Sequence, residues 1–345
     1  MSDFKIALIG AGAIGQTHIS TILKQPGFSL VAIADPGLNA AEIADSLQVP
    51  WFASHKCMLD SVQPHGVIIA TPNELHVDVS IDCLNRGIPV LLEKPVANTV
   101  GDAMRLVEAS EQTGVPVLVG HHRRHNPIIK AAKKLIDDGA LGRPVMASVS
   151  CALMKPADYF QIPWHRERAV GGPFLINLIH EIDLLRHLYG EIDGVAALKS
   201  SAVRGLDVED SGGALLHFRN GAIASIAISD TVAAPWSWDM TSGEVERFPA
   251  HDALSHYLCG TEGGISLPGL QLWRHDGNIS WTEEMTKLSC TYQSGDPFAA
   301  QLQHFGELIA RTAEPVVSVR EATRNLEIVM ALHRAAETGQ TISLG

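Results

Sequence analysis

Residues 4–15 read Phe-Lys-Ile-Ala-Leu-Ile-Gly-Ala-Gly-Ala-Ile-Gly, an apolar run that breaks into three glycines and resumes as an amphipathic segment. The run predicts a buried β-strand, and Ile14, His18 and Ile22, spaced i, i+4, i+8, predict a helix directly behind it. Gly10, Gly12 and Gly15 then fall in the turn between strand and helix, the G-x-G-x-x-G spacing that brings backbone N–H groups and a helix N-terminus up to a pyrophosphate. Ala13 and Ile14 supply further amides in that turn. Asp35 ends the second apolar run, Ser29–Asp35, 20 residues after Gly15, where a carboxylate accepts hydrogen bonds from an adenosine ribose. No Lys, Arg or His lies between Lys24 and His55, so a 2′-phosphate would find no basic partner beside Asp35, and NAD is favoured over NADP.

The same rhythm continues to about residue 120. Short Ile-, Val- and Leu-rich runs (Gly66–Thr71, Pro89–Pro95, Pro116–Gly120) alternate with helical periodicity, for example from Leu75 to Asn85 before Gly87. This is a parallel sheet of βαβ units, with a domain expected over residues 1–122. The remainder, 123–345, reads as an α+β domain with a large, mostly antiparallel open sheet. A helix is expected over 128–137, and another after Gly171-Gly172-Pro173 with Leu178, Ile182 and Leu185 on its apolar face. Asn220-Gly221 between apolar runs predicts a type I′ hairpin. Two amphipathic helices close the chain, the first carrying Phe298, Leu302, Phe305 and Ile309, the second Leu326, Val329, Met330 and His333. The apolar strands of such a sheet need a partner on one face, so a homodimer or homotetramer is expected.

Composition sets the outer limits. The 345 residues are 46% hydrophobic and 19% charged, ordinary for globular domains, and 26 basic against 38 acidic residues give a net charge of −12. That charge repels nucleic acid and anionic lipid alike. Five scattered cysteines without C-x-x-C spacing argue against a disulfide framework or thiolate metal site and for a reducing compartment. With no basic leader and no apolar stretch of roughly 20 residues, a cytoplasmic protein is expected.

Hydride transfer to a nicotinamide needs a proton acceptor beside the reacting hydroxyl. Glu93 and Lys94, in Glu93-Lys94-Pro95 at a strand end, are expected on the cofactor side, where ligands meet an open parallel sheet, and His180 is of the residue type whose ordinary titration range lies nearest neutrality. Asn177 and His180, spaced i, i+3, would share one helix face. Thr71, Pro72, Asn73 and His76 follow another strand end. Arg123 and Arg124 could grip a substrate carboxylate or hydroxyls, or could pair with the surplus acids. Trp164 and His165, with Tyr159, offer a stacking surface and donors. The run His121-His122-Arg123-Arg124-His125 lacks a carboxylate or thiolate, and no metal is expected.

Five short words in order, the GAGAIG turn with His18, Ala-Thr-Pro-Asn-Glu-Leu-His at 70–76, Leu-Leu-Glu-Lys-Pro at 91–95, a Gly-Gly pair before His-Glu-Ile-Asp-Leu-Leu-Arg-His-Leu, and Gly-Thr-Glu-Gly-Gly at 260–264, resemble the glucose-fructose oxidoreductase/inositol dehydrogenase/rhizopine-catabolism (Gfo/Idh/MocA) family. The resemblance implies a Rossmann domain, a C-terminal open sheet used for oligomerisation, NAD(P)-linked oxidation of sugars, cyclitols or related alcohols, and catalytic roles for Lys94 and His180. It places Thr71, Pro72, Asn73 and His76 near the nicotinamide half of the cofactor. In many members an aspartate stands four residues before the catalytic histidine; here that residue is Ile176, followed by Asn177. An amide can bond a hydroxyl but cannot act as a base. The family also holds NAD-retaining glycosidase-type enzymes and redox-silent NAD- or sugar-binding regulators, and these are the alternative readings.

Overall fold

The computed structural model describes residues 3–167 and 171–345. The chain divides into two compact units, Met1–His125 with Asp296–Leu326, and Asn126–Gly295 with Glu327–Gly345. The expected 123–345 domain therefore gives up residues 296–326, because Leu302, Phe305 and Leu308 are apolar on the face that joins the core of Ile6, Leu8, Ile33 and Ile68.

In the first unit, β1 (Phe4–Ile9), β2 (Phe28–Ala34), β3 (Trp51–Phe52), β4 (Gly66–Ile69), β5 (Val90–Leu92) and β6 (Val117–Val119) form a parallel sheet in the order β3-β2-β1-β4-β5-β6. The two-residue edge strand β3 is too short to have left a periodic signal. Between the strands run α1 (Ala13–Lys24), α2 (Leu38–Ser46), α3 (His55–Ser61), α4 (His76–Leu84) and α5 (Val100–Thr113). The order reverses between β1 and β4, and at such a switch point an open α/β sheet binds its ligand outside the strands' carboxyl ends. Strands β4, β5 and β6 and the carboxyl-terminal halves of β1 and β2 are almost fully buried, which is why they read as continuous apolar runs.

The second unit begins with α6 (Pro127–Asp137), whose start is fixed by Asn126 accepting the Ile128 N–H and by Pro127 at the first helical position. After β7 (Pro144–Ala152) and α7 (Ile179–Tyr189) come β8 (Ile192–Ser200), β9 (Ser211–Phe218), β10 (Ile223–Ser229), the short α8 (Trp238–Thr241), β11 (His256–Gly260), β12 (Gly263–Leu267), β13 (Gln271–Arg274) and β14 (Thr286–Ser289). The chain ends with α9 (Pro297–Ile309), α10 (Val319–Thr338) and β15 (Ile342–Ser343). The sheet runs β14-β13-β12-β11-β7-β10-β9-β8-β15; β7 and β10 pair parallel and the other neighbours antiparallel.

Alternation divides the faces of this sheet. Ala214, Leu216, Phe218, Ala224, Ile226 and Ile228 are buried, whereas Leu215 and Ile223 between them are more than half exposed. Helix α7 lies on the buried face: Tyr189 Oη donates to the carbonyls of Met146 (3.0 Å) and Cys259 (3.1 Å), and its ring meets Phe218 edge-on. The β9–β10 hairpin is not the type I′ turn expected from Asn220-Gly221. Only Gly221 has positive φ (+87°), and its N–H bonds the Phe218 carbonyl, so a type I turn is followed by glycine in the left-handed region. Asn220 is used instead to donate to the Tyr189 carbonyl at 2.7 Å, tying the hairpin to the end of α7. Among the described residues, no helix is long and apolar enough to cross a membrane.

Candidate functional site

The predicted nucleotide residues gather at the carboxyl ends of four neighbouring strands, β2, β1, β4 and β5. Backbone bonds hold these ends in register: Gly10 N to Ala34 O (2.9 Å), Ala70 N to Ile9 O (2.8 Å) and Glu93 N to Ile69 O (2.9 Å). The three glycines do different work. Gly10 has φ +93°, and a Cβ there would stand 2.5 Å from the Ala70 carbonyl oxygen; one on Gly15 would lie 2.1 Å from the Gly10 oxygen. Both permit α1 to start tight against the sheet. Gly12, the residue capping α1, has nothing within 4 Å of its would-be Cβ and faces open space.

Asp35 Oδ2 accepts the Ala11 N–H (2.8 Å) and Oδ1 the Gly37 N–H (2.7 Å), which fixes the carboxylate beside the glycine turn with lone pairs to spare. Thr71, just past β4, has its Oγ1 buried without a hydrogen-bond partner among the described residues. Open space over Gly12, the amides of Ala13 and Ile14 at a helix N-terminus, an anchored Asp35 and the unmet hydroxyl of Thr71 fit a dinucleotide.

Pro72 and Asn73 form the 3-10 turn that leads into α4, and His76 begins that helix. His76 does not project outward. It is 1% exposed, with Nδ1 2.7 Å from the Pro95 carbonyl and Nε2 3.0 Å from the Thr71 carbonyl, so it clamps the segment after Lys94 to the end of β4. Burial lowers its proton affinity against the pull of both carbonyls.

Glu93 is likewise an internal group. Its Oε1 lies 2.8 Å from His18 Nε2 on α1 and its Oε2 accepts the Lys94 N–H at 3.2 Å. Burial works to raise its pKa, but the His18 hydrogen bond and the positive charge nearby outweigh burial and hold the carboxyl below its ordinary range. His18 also meets Phe298 of α9 edge-on at 5.9 Å. Lys94, half-buried, is carried by this braced strand end.

The histidine–arginine run folds as the 3-10 turn His122–His125 and is divided among separate contacts. His122 stacks on Phe298 at 4.4 Å, His125 Nε2 lies 2.9 Å from His304 Nδ1, and Arg124 donates to Glu321 (3.4 Å) and the Val316 carbonyl (3.3 Å). Of the two roles open to Arg124, pairing with an acid is the one observed. Arg123 is buried in the same turn. Among the described residues, no three His, Cys, Asp or Glu side chains are grouped so as to hold a metal.

In the second unit, residues Phe174–Leu178 are a π-helix that turns into α7. The i, i+3 relation between Asn177 and His180 therefore crosses a change of pitch and is not that of one regular α-helix. Single π turns of this kind often mark functional positions. Asn177 is half-buried, with Oδ1 lacking a hydrogen-bond partner among the described residues; His180 is buried in the first turn of α7. The residue following it, Glu181, is 0% exposed and accepts from His256 Nε2 at 2.7 Å, pinning α7 to β11. Trp164 is 41% exposed and meets His165 edge-on; His165 is buried, donates through Nδ1 to the Tyr159 carbonyl at 2.5 Å, and stacks flat on the Tyr159 ring at 3.7 Å.

Sequence reasoning missed Lys155, Glu209 and Asp230, which are buried close to that stack. Lys155 and Asp230 each stand singly at the end of an apolar segment, and Glu209 lies in the acidic loop Asp207-Val208-Glu209-Asp210, with no spacing to flag any of them. The His18–Glu93 pair was more accessible, since a histidine on the apolar face of a helix requires a buried polar partner.

A parallel sheet in this order, with this glycine turn and acid, is the NAD-binding Rossmann unit of an oxidoreductase. Residues 4–121 match the model of the oxidoreductase family with NAD-binding Rossmann fold, and 129–266 match the GFO/IDH/MocA C-terminal domain; the chain belongs to the Gfo/Idh/MocA oxidoreductase family. It is 26% identical to scyllo-inositol 2-dehydrogenase (NAD(+)) of Bacillus subtilis (strain 168), over 99% of this chain and 96% of that protein. It is also 26% identical to D-apiose dehydrogenase of Paraburkholderia graminis, over 99% and 90%. Among solved structures it shares the fold of the WlbA dehydrogenase from Bordetella pertussis in complex with NADH and UDP-GlcNAcA (TM-score 0.81, 24% identity, 99% of each chain).

Proposed function

We propose that this protein is an NAD-dependent dehydrogenase that oxidises a secondary alcohol of a sugar, cyclitol or related cyclic hydroxy acid, with Lys94 and His180 as its acid/base groups. The observation that carries the reading is the braced Lys94. It ends β5 beside the buried His18–Glu93 pair, on the side of the sheet where Gly12 is open and the Thr71 hydroxyl is unmet. Bound NAD supplies the hydride acceptor. The chain's own part is to take the hydroxyl proton, through the Lys94 amine or the His180 imidazole, as the C–H hydride leaves and the carbonyl forms. Asn177 is assigned to a substrate hydroxyl, with Arg123, Trp164 and His165 as further substrate contacts; for Arg124 the pairing with Glu321 supports a bracing role. That scyllo-inositol 2-dehydrogenase and D-apiose dehydrogenase are relatives over nearly the whole chain supports a polyhydroxylated substrate.

The exposed face of the second sheet supports a homodimer or homotetramer. Leu198, Leu215, Ile223, Met146, Tyr257 and Trp273 all lie on it, each at least 40% exposed, and strand register puts them on one side. Five free cysteines support a reducing, cytoplasmic setting.

The test is a panel of inositols, aldoses, uronates and aldonic acids with NAD, followed by absorbance of the reduced cofactor. Turnover on at least one compound is expected, with Lys94→Ala and His180→Ala each lowering kcat by roughly 10²-fold or more. Tight NAD binding with no net reduction on any compound would favour the NAD-retaining or regulatory alternatives, and full activity in either variant would remove that residue from the mechanism.

A further inference from the structure

A cleft of about 850 Å³ opens on the second unit, lined by Ser150 of β7, Tyr257 of β11 and Gln271 of β13. Ser150 alternates with the buried Val149 and Cys151, and strand register sets Tyr257 and Gln271 on its side of the sheet, the face turned away from α7. The walls come from the segment between β10 and β11, through Trp236, Thr241, Ser242 and residues 250–254, and from Pro268, Gly269 and Tyr292. All of these belong to one unit. None of the residues assigned above to cofactor, substrate or proton transfer is among them.

Backbone bonds hold this cleft in shape. Ser150 N donates to Ser255 O and Ser255 N to Leu267 O, both at 2.9 Å, which seats the 250–254 stretch beside β7 and the end of β12. His251 N donates to Met240 O (2.8 Å) and Ala152 N to Trp236 O (2.9 Å), fixing two further points of the wall. Cys290 N bonds Leu270 O at 3.0 Å, two residues before Tyr292. A ligand entering such a frame has little backbone left to order.

The lining is aromatic and neutral. Trp236, Tyr257 and Tyr292 are between 44% and 54% exposed, and half-exposed rings grouped in one cleft mark a surface that is covered in use. Ser266 gives a second sign: its Oγ is buried without a hydrogen-bond partner among the described residues, and register puts its side chain on the same face, between Tyr257 and Gln271. A buried hydroxyl left unmet is costly, and this is the face from which a partner can reach it. No Lys or Arg lines the cleft and its one carboxylate, Asp252, is exposed, so nothing there holds an anion. The hydroxyls of Ser150, Thr241 and Ser242 and the Gln271 amide both donate and accept. A neutral ring with hydroxyls on its edge and C–H groups on its faces matches both halves of this lining, its faces stacking on the aromatic rings and its edge meeting the hydroxyls and amide. The volume falls within the roughly 300–1,000 Å³ of small-molecule sites.

We propose that this cleft is a second carbohydrate site, which binds a neutral sugar or cyclitol by stacking on Trp236, Tyr257 and Tyr292 and by hydrogen bonds to Ser150 and Gln271. It is a binding site only, and proton transfer stays with Lys94 and His180. Tyr257 also belongs to the exposed sheet face assigned to self-association, so the test must separate a ligand from a second copy of the chain.

The experiment titrates the full-length protein with D-glucose, maltose and myo-inositol, and with D-glucuronate as the charged control, by calorimetry and tryptophan fluorescence. Saturable binding of at least one neutral probe is expected, with glucuronate roughly 10-fold weaker or more. Ala253→Trp, which fills the cleft, is expected to abolish that binding, and Gln271→Ala to weaken it roughly 3- to 10-fold, while melting temperature and NAD affinity stay unchanged. Trp236→Phe is expected to lose the fluorescence change. No saturable binding of any neutral probe, equal or tighter glucuronate binding, or unchanged affinity in Ala253→Trp overturns the site. So does a shift of sedimentation coefficient in Ala253→Trp with sugar binding intact, which would assign the cleft to a contact between copies. If Ala253→Trp unfolds, Gln271→Ala and Trp236→Phe decide alone. Turnover is not read, so the outcome stands apart from the success or failure of the dehydrogenase reading.

Discussion

Replacing His18 by alanine isolates what the buried pair at the end of β5 contributes. The substitution leaves the Glu93 carboxyl 5% exposed with the Lys94 N–H as its remaining short contact in the set described above. Breaking a buried charged pair typically costs about 3–5 kcal/mol. Protonation of Glu93 sets a ceiling on the electrostatic part, because a carboxyl that takes up a proton no longer carries an unpaired buried charge. In the wild type the folded-state pKa is depressed, so this carboxyl stabilises the fold above its unfolded pKa and that stability is lost as pH falls through the folded value. In His18→Ala, burial is no longer outweighed, the folded pKa rises, and the penalty is present at neutral pH but fades as pH approaches the unfolded value. The difference between the two proteins is therefore expected to be about 3 kcal/mol or more at pH 7 and to shrink as pH falls towards the ordinary carboxylate range. Urea unfolding read through hydrogen exchange of the β5 amides is the assay, because a chain of two units does not give one global transition. A deficit that is the same at pH 5 and pH 7 would refute the electrostatic account and leave His18 as a packing residue against Phe298.

Three further outcomes follow from the geometry. Gly15→Ala should lower the melting temperature of the NAD-free protein, since its Cβ would lie 2.1 Å from the Gly10 oxygen, whereas Gly12→Ala should leave that temperature nearly unchanged and weaken NAD in calorimetry. Comparable NAD affinity in Gly12→Ala would mean that no cofactor approaches there. Asp35→Ala should weaken NAD by about 10-fold and reduce discrimination against NADP, measured by titrating both cofactors. Leu215→Glu combined with Ile223→Lys on the exposed sheet face should shift the protein to a smaller species in sedimentation without loss of fold, and an unchanged sedimentation coefficient would move the interface elsewhere.

The first unit was legible because its signals are local. Strands covered on both faces must be apolar throughout, and a glycine turn between strand and helix needs its residues at fixed spacing, as Gly10, Gly12 and Gly15 show. The β9–β10 connection shows the limit of local reading. Asn220-Gly221 specified a turn, but the Tyr189 carbonyl, 31 residues away in sequence, took the asparagine side chain and a different turn resulted. Likewise, the π pitch of Phe174–Leu178 could not be read from an amphipathic pattern that suits α and π turns alike.

The sequence by itself determined the parallel nucleotide-type sheet, the acid that ends β2 and the lysine that ends β5, because periodicity and spacing are properties of the chain. Only the tertiary structure decided that α9 belongs with the first sheet, that His76 and Glu93 are internal braces, that Arg124 is committed to Glu321, and that Lys155 meets Asp230 across 75 residues. Those outcomes depend on which buried polar groups come within hydrogen-bond reach of each other, and that is set by packing between distant segments rather than by any local pattern.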